Sequence, residues 1–153
     1  MAQNVTLTPE ERDATGFTHK IILDYTDVIL LTSAVAQAVF PVYGGTATFP
    51  AGTYIRDAAM NVLTAFASAA NTITLVAVLG DDGVTNRYIA STTQKTAAPL
   101  AGTAATKAFL YTAANTIDVI FTAGVEAITL LTAGKVEFYL AVADLNALQR
   151  ATK

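Results

Sequence analysis

Apolar and polar residues alternate with a period of two in three segments, residues 73–79, 117–122 and 136–142, and this spacing is typical of half-buried β-strands. Their apolar faces are formed by Ile73, Leu75, Ala77 and Leu79, by Ile117, Val119 and Phe121, and by Val136, Phe138, Leu140 and Val142. The last segment places Glu137 on the face opposite Phe138. We therefore expect Phe138 in the core and Glu137 at solvent or at the rim of an interface.

Two other segments have less regular patterns. Residues 54–66 fit either a helix or a strand, and we predict a strand because Asn71 offers a turn before the next strand begins. Residues 27–37 are the better candidate for a short helix, with Asp27 as its N-cap before Val28-Ile29-Leu30-Leu31.

Turn signals separate these segments at regular intervals, which is typical of a β-sandwich or barrel. The signals are Gly44-Gly45, Pro50-Ala51-Gly52, Gly80-Asp81-Asp82-Gly83, Pro99 to Gly102, Thr122-Ala123-Gly124 and Thr132-Ala133-Gly134. The sequence Ala69-Ala70-Asn71-Thr72-Ile73 recurs at residues 113–117, and we interpret both copies as hairpin turns that use asparagine. We predict an all-β fold, an antiparallel β-sandwich.

Residues 1–16 are interpreted as an N-terminal arm that precedes a sandwich domain of residues 17–153. Thr8-Pro9-Glu10-Glu11 combines a capping hydroxyl, a proline at the first helical position and a carboxylate three residues after the cap. This is the signature of a capping box, so we predict a helical turn there. The arm is either a solvated terminus or a segment that docks on a partner, and the candidate contact residues are Thr8, Pro9, Glu10, Glu11 and Arg12.

Charged residues make up 14% of the chain, against roughly 25% in an average soluble domain. Alanine inflates the hydrophobic fraction of 53%, but the surface of a domain this size still needs polar cover, which comes mostly from threonine. We infer that part of the apolar surface contacts other protein chains and that the chain forms a homo-oligomer. The net charge of −3 and the isolated positions of the nine basic residues argue against binding to nucleic acid.

The absence of cysteine excludes a disulfide framework and thiolate metal sites. The strongest apolar run, residues 75–79, is far shorter than the roughly 20 residues of a membrane-spanning helix. Residues 1–6 lack the basic and apolar regions of a secretory signal. We therefore expect assembly in a cytoplasm and no contact with a membrane.

Residues that could carry chemistry are few. His19 is the one histidine, and no spacing recruits carboxylates to it for a metal site or a serine for a triad, so we expect it at the surface or rim. Asp81-Asp82 lacks the alternating ligands and distal glutamate of a calcium loop, and we interpret it as a hairpin turn.

Paired carboxylates of the kind that glycoside hydrolysis uses could come from Asp24 with Asp27, or from Glu126 with Glu137. We interpret all four as solvated acids. The sequence thus predicts no catalytic residue, no cofactor and no metal, and we do not expect an enzyme.

A carbohydrate-binding (lectin-like) or receptor-binding β-sandwich is the alternative function. Such platforms use aromatic faces, and this chain has no tryptophan. Its possible stacking residues are Tyr25, Tyr43, Tyr54, Tyr88, Tyr111 and Tyr139.

Three segments together resemble small structural proteins of tailed phages. They are Phe49-Pro50-Ala51-Gly52-Thr53 with Ile55 and Thr64-Ala65-Phe66, the run from Thr74-Leu75 to Gly80-Asp81-Asp82, and residues 132–139. The resemblance covers about residues 20–148. It implies a jelly-roll β-sandwich that sits on a capsid as a decoration or cement protein, commonly as a trimer, without an active site.

The sequence and this resemblance together predict a virion structural protein. We expect a capsid decoration or cement subunit that forms a homo-oligomer, a trimer, and binds the major capsid protein on the outer capsid surface. The alternative is a carbohydrate-binding (lectin-like) or receptor-binding β-sandwich module of a phage fibre or tail.

Overall fold

Two antiparallel β-sheets pack face to face in the computed structural model, which describes residues 2–31, 33–42, 44–45, 47–101 and 108–150. The six-stranded sheet contains β1 (Gln3–Thr6), β2 (His19–Asp24), β4 (Thr53–Ser68), β7 (Pro99–Ala101), β8 (Phe109–Leu110) and β10 (Leu131–Asp144). Its order is β1-β2-β10-β4-β7, and β8 pairs with the start of β4.

The four-stranded sheet contains β3 (Gln37–Phe40), β5 (Thr74–Asp81), β6 (Ile89–Thr93) and β9 (Ile117–Gly124), in the order β3-β9-β5-β6. The helices are α1 (Pro9–Thr15), α2 (Tyr25–Val28) and α3 (Leu145–Arg150), and a 3-10 turn covers Ile128–Leu130. The predicted all-β antiparallel sandwich is confirmed, whereas the jelly-roll connectivity stays a prediction.

The apolar faces predicted for β5, β9 and β10 point into the space between the sheets. Leu75, Leu79, Val119 and Phe138 have no exposed surface. Residues 54–66 form a strand, as predicted, and this strand pairs with β10 along most of its length.

Three phenylalanines from both sheets pack together in the core. The Phe121 ring of the four-stranded sheet lies 6.2 Å from the Phe66 ring and 6.4 Å from the Phe138 ring, measured between centroids. A β-carbon at Gly134 would lie 2.2 Å from the Phe66 ring, and Gly134 has a φ of 141°. Gly134 lies at a register shift between β4 and β10, between Ala133 and Lys135. Only glycine fits there, because any side chain would overlap the Phe66 ring.

The helix expected over residues 27–37 is confined to Tyr25–Val28, so its predicted position was wrong. Its N-cap is Asp24 rather than Asp27: the Asp24 carboxylate accepts from the backbone of Thr26 and Asp27. The Asp27 carboxylate returns a bond to the Asp24 N–H at 3.0 Å. Beyond Val28 the described chain turns, with Ala34 at a φ of 64°, and enters β3 at Gln37.

The two copies of the Ala-Ala-Asn-Thr-Ile sequence have different structures. Asn71 has a φ of 55° and turns the chain from β4 in one sheet to β5 in the other, so this is not a hairpin. Asn115 forms an isolated bridge with Phe49, with N···O distances of 2.8 and 2.9 Å. The prediction of two hairpin turns was therefore wrong, because a local sequence does not decide which sheet the next strand joins.

Glu137 was expected at solvent or at a rim, but it is only 8% exposed. Its carboxylate accepts from the Tyr139 hydroxyl at 2.5 Å and lies 3.5 Å from the Lys20 Nζ. The predicted division of faces on β10 is correct, yet the outward face is partly covered by neighbouring side chains.

We predict that Phe138→Ala lowers the free energy of unfolding by about 3–5 kcal/mol, since it removes an aromatic ring from a closely packed core. Leu63→Ala, at a position 42% exposed on β4 of the same sheet, is the control and should change it by less than about 0.5 kcal/mol. Urea unfolding of both variants measures the difference. Equal effects would contradict this assignment of the core.

Candidate interaction surfaces

The α1 helix of the arm has the local structure that the sequence predicted. Thr8 Oγ1 accepts from the Glu11 N–H at 3.2 Å, and the Glu11 carboxylate accepts from the Thr8 N–H at 2.8 Å. This backbone hydrogen bond lowers the pKa of Glu11. The helix buries none of its residues, so Pro9, Glu10 and Arg12 are free to meet a partner.

The arm is attached to the body at both ends of α1. Before the helix, β1 pairs with β2 as an edge strand and Leu7 is buried. After it, Phe17 packs on Tyr139 with centroids 5.5 Å apart, and Arg56 donates to the Gly16 carbonyl at 3.1 Å. The arm thus adds a strand to the six-stranded sheet. A boundary at residue 16 remains a prediction.

Between α1 and the outer side of the six-stranded sheet lies a surface cavity of about 340 Å³. It is lined by Thr15, Phe17, Ala59, Met60, Asn61, Pro99 and Tyr139. Most of these side chains are apolar, so the cavity offers packing area and little that could carry out a reaction.

His19 is half-buried at the start of β2. Its ring meets the Phe49 ring edge-on at 5.4 Å and the Phe40 ring at 6.4 Å, and Nδ1 lies 2.8 Å from the Thr18 hydroxyl. Burial, and to a smaller extent the Arg12 charge, lowers the pKa of His19. His19 on β2 therefore lies in an aromatic environment and contacts Phe40 on β3 of the other sheet. This half-buried position agrees with the expected rim residue.

Asp81 holds the β5–β6 connection in shape. Its carboxylate accepts from the N–H groups of Gly83 and Val84 at 3.1 and 2.8 Å and from the Arg87 Nε at 2.6 Å. The Arg87 guanidinium lies 3.7 Å from the centre of the Phe109 ring. The turn reading of Asp81-Asp82 is confirmed, although the connection is longer than a two-residue hairpin.

Neither pair of carboxylates is arranged as a reactive dyad. Asp24 and Asp27 cap α2, and the hydrogen bond from the Thr26 hydroxyl holds the pKa of Asp24 well below its usual range. Glu126 accepts from the Thr72 hydroxyl in the loop after β9, whereas Glu137 is bonded on β10. Asp27 and Glu137 are buried rather than solvated as we expected, whereas Asp24 and Glu126 are partly exposed and also make hydrogen bonds within the subunit.

In the described part of the chain, three of the six candidate stacking tyrosines make hydrogen bonds within the subunit. Tyr88 and Tyr111 are buried, and their hydroxyls lie 2.9 Å apart. Burial raises the pKa of Tyr88 to about 12 and also raises that of Tyr111. Tyr139 is bonded to Glu137, and Tyr43 lies outside the described residues.

The outward face of the four-stranded sheet differs from that of the six-stranded sheet in its charge. The strands β3, β5, β6 and β9 contain only two charged residues, Asp81 and Asp118, which are 1% and 8% exposed. Strands of the other sheet carry Lys20, Asp24, Arg56, Asp57, Lys135, Glu137 and Asp144.

We call the outward side chains of the four-stranded sheet the charge-free face: Thr74, Val76, Val78, Ile120 and Thr122. Register pairs Val76 with Thr122 and Val78 with Ile120 across β5 and β9. Thr74 and Thr122 are exposed, and the other three are half-buried. The sequence predicted the alternation along β5 and β9. It did not show that their outward side chains would lie next to each other on one sheet.

Three non-glycine residues with left-handed backbone lie at the end of the sandwich where β5 begins and β9 ends, which we call the open end of this face. These are Ala34, Asn71 and Val125, with φ of 64°, 55° and 68°. Such a conformation costs of the order of 1–3 kcal/mol for a non-glycine residue, most for a β-branched one. Val125 is nevertheless 82% exposed, and Leu30, Val35 and Leu130 are also exposed in neighbouring loops.

Within the described residues, no group of three or more His, Cys, Asp or Glu side chains is placed to hold a metal ion. In the same part of the chain, no helix is long and apolar enough to cross a membrane.

No protein-family model matches this sequence, and no curated protein matches it. Among solved structures, the fold is similar to that of a chain described as "Cyanophage Pam1 capsid asymmetric unit", with a TM-score of 0.55 and 17% sequence identity. The similarity covers 80% of this chain and 79% of that chain. At this identity the two chains share a fold, and they are of nearly equal length.

We predict that acid weakens the fold through His19. Its pKa is lowered in the folded state, so the unfolded chain binds more protons as the pH falls through the unfolded value of about 6.5. The melting temperature of the wild type should therefore fall between pH 7.5 and pH 5.5, and that of His19→Gln should fall less. Parallel curves for the two proteins would show that His19 does not contribute.

Proposed function

We propose that this chain is a virion structural protein of a tailed phage, a capsid decoration or cement subunit. In this proposal it forms a homo-oligomer, most simply a trimer, and binds the major capsid protein on the outer surface of the shell. The observation that carries the proposal is the fold shared with a phage capsid chain of nearly equal length.

The surface supports a binding role. Exposed Leu30, Val125 and Leu130 and the uncharged outward face of the four-stranded sheet leave apolar area that a monomer would hold in water. By contrast, α1 presents Glu10, Arg12 and Asp13 on a helix with no buried side chain. The chain thus offers an apolar surface and a charged one, which suits a subunit that contacts two different neighbours.

The polar groups support the same proposal. Most of the carboxylates considered as candidate reactive groups are bonded to other groups of the same subunit. Asp81 is held by Arg87, Asp27 caps α2, and Glu137 is bonded to Tyr139. A subunit that acts by contact needs no reactive group.

Contact alone is sufficient to stabilise a shell. At roughly 25 cal/mol per Å² of apolar area, burial of about 500 Å² per subunit contributes about 12 kcal/mol before the costs of association. Repeated over many copies, such contacts would resist internal pressure.

We predict that the purified chain binds saturably to capsids that lack it and raises the temperature at which they rupture. Co-sedimentation and capsid melting measure the two effects. Absence of binding to capsids, together with specific binding to a glycan array, would instead support the carbohydrate-binding alternative.

We also propose that the arm contacts the capsid, and we predict that replacing its exposed charges weakens binding. The variant Glu10→Gln, Arg12→Gln, Asp13→Asn keeps Thr8 and Glu11, so the helix cap remains. Loss of charged contacts at an interface should raise the dissociation constant at least about tenfold.

The matched control is Asp82→Asn, an exposed acid of the β5–β6 connection whose removal gives the same change in net charge. Circular dichroism should show both variants folded. If the arm variant and the control bind capsids as the wild type does, the arm is not the contact.

A further inference from the structure

We infer that the charge-free face, extended by Val35 and Val125 at its open end, is the surface on which a second copy of this chain packs. This inference rests on the self-association in the proposed function and assigns it a surface. It leaves the charged arm for the capsid.

The charges favour a second copy as the occupant. A contact between identical chains buries this face against the same face in a two-fold dimer, or against another patch of the same chain in a trimer, and in both cases burying a charge without a partner is costly. The cores of protein interfaces are accordingly depleted of charged residues. The acid next to the charge-free face on β9 is Asp118, which is 8% exposed and accepts from the Thr116 hydroxyl at 2.8 Å. These side chains would therefore bring no exposed charge into the contact.

The size of the surface indicates which neighbouring segments a stable contact would need. Two strands of eight residues set its length and four strands set its width, which gives about 27 by 19 Å, or about 500 Å², from standard strand spacings. A stable contact needs about 800 Å² on each partner. The sheet alone is too small, so the exposed loops at its open end must take part.

These loops adjoin the sheet directly. Ala34 N–H donates to the Phe121 carbonyl at 2.9 Å, and Ala123 N–H donates to the Ser33 hydroxyl at 3.2 Å. Val35 follows these contacts, and Val125 follows the last residue of β9. Both side chains are exposed, Val35 by 53% and Val125 by 82%, and they lie in loops that border the sheet.

The backbone at Val125 gives an independent reason. A β-branched residue is unfavourable at a φ of 68°, and an 82% exposed side chain gains little contact within its own subunit. Contact with another chain would give this side chain the burial that its own subunit does not.

The first test places charges on the face, and circular dichroism checks that the variant remains folded. Val78→Glu with Ile120→Lys introduces opposite charges at paired positions of β5 and β9, so they can bond to each other and the net charge is unchanged. We expect the wild type to sediment as an oligomer and this variant to associate at least about tenfold more weakly.

The control is Leu63→Glu with Leu110→Lys, which places the same two charges at positions 42% and 43% exposed outside the face. It should associate as the wild type does. Loss of association in the control but not in the Val78/Ile120 variant would overturn the inference, as would a monomeric wild type.

The second test is Val125→Gly. Glycine relieves the left-handed backbone, so the variant should unfold at the same or a higher temperature, yet associate more weakly than the wild type. Unchanged association would show that Val125 lies outside the contact and would overturn that part of the inference.

Capsid co-sedimentation distinguishes this inference from the proposed function. If the Val78/Ile120 variant is monomeric but still binds capsids, the face is the contact between copies. If it remains an oligomer and loses capsid binding, the capsid covers the face and the inference is wrong. Failure of the wild type to bind any capsid would instead overturn the proposed function while the oligomer result stands.

Discussion

The packing of Phe66 and Phe138 against Phe121 is the contact on which the rest of the structure depends, because it joins the two sheets through their inner faces. It requires Gly134, since a β-carbon there would overlap the Phe66 ring. With a period of two, fixing one inward residue also fixes the outward position of its neighbours. The core therefore decides which residues are available at the surface.

That division gives the molecule two unlike sides. Packing of the six-stranded sheet turns Lys20, Glu137 and Tyr139 outward, where they bond to one another and lie beside the arm. Packing of the four-stranded sheet turns Val76, Val78 and Ile120 outward without any charged neighbour that is exposed. In the proposed function, the first side would contact the capsid and the second would contact another copy of the chain.

The strand pattern could be predicted from the sequence because it depends on local alternation. The inward faces of β5, β9 and β10 and the capped turn of α1 follow from side chains close in the chain, and the structure confirms each. The low charge content indicated a binding surface but gave no location for it. The short helix was predicted to begin at Asp27, but it begins after Asp24. Aspartate is a good N-cap at either position, so the sequence alone does not show which of the two starts the helix.

What the sequence by itself determined is the class of fold, the inward residues of its clearest strands and a surface poor in charge. The tertiary structure alone decided that Asn71 joins two sheets, that Glu137 is covered, and that β5 and β9 pair within one sheet with Val76, Val78 and Ile120 on its outward face. Each of these depends on which strands become neighbours, and strand pairing is set by contacts between residues far apart in the chain. Local periodicity fixes the two faces of a strand, but only packing against a distant strand decides what each face meets.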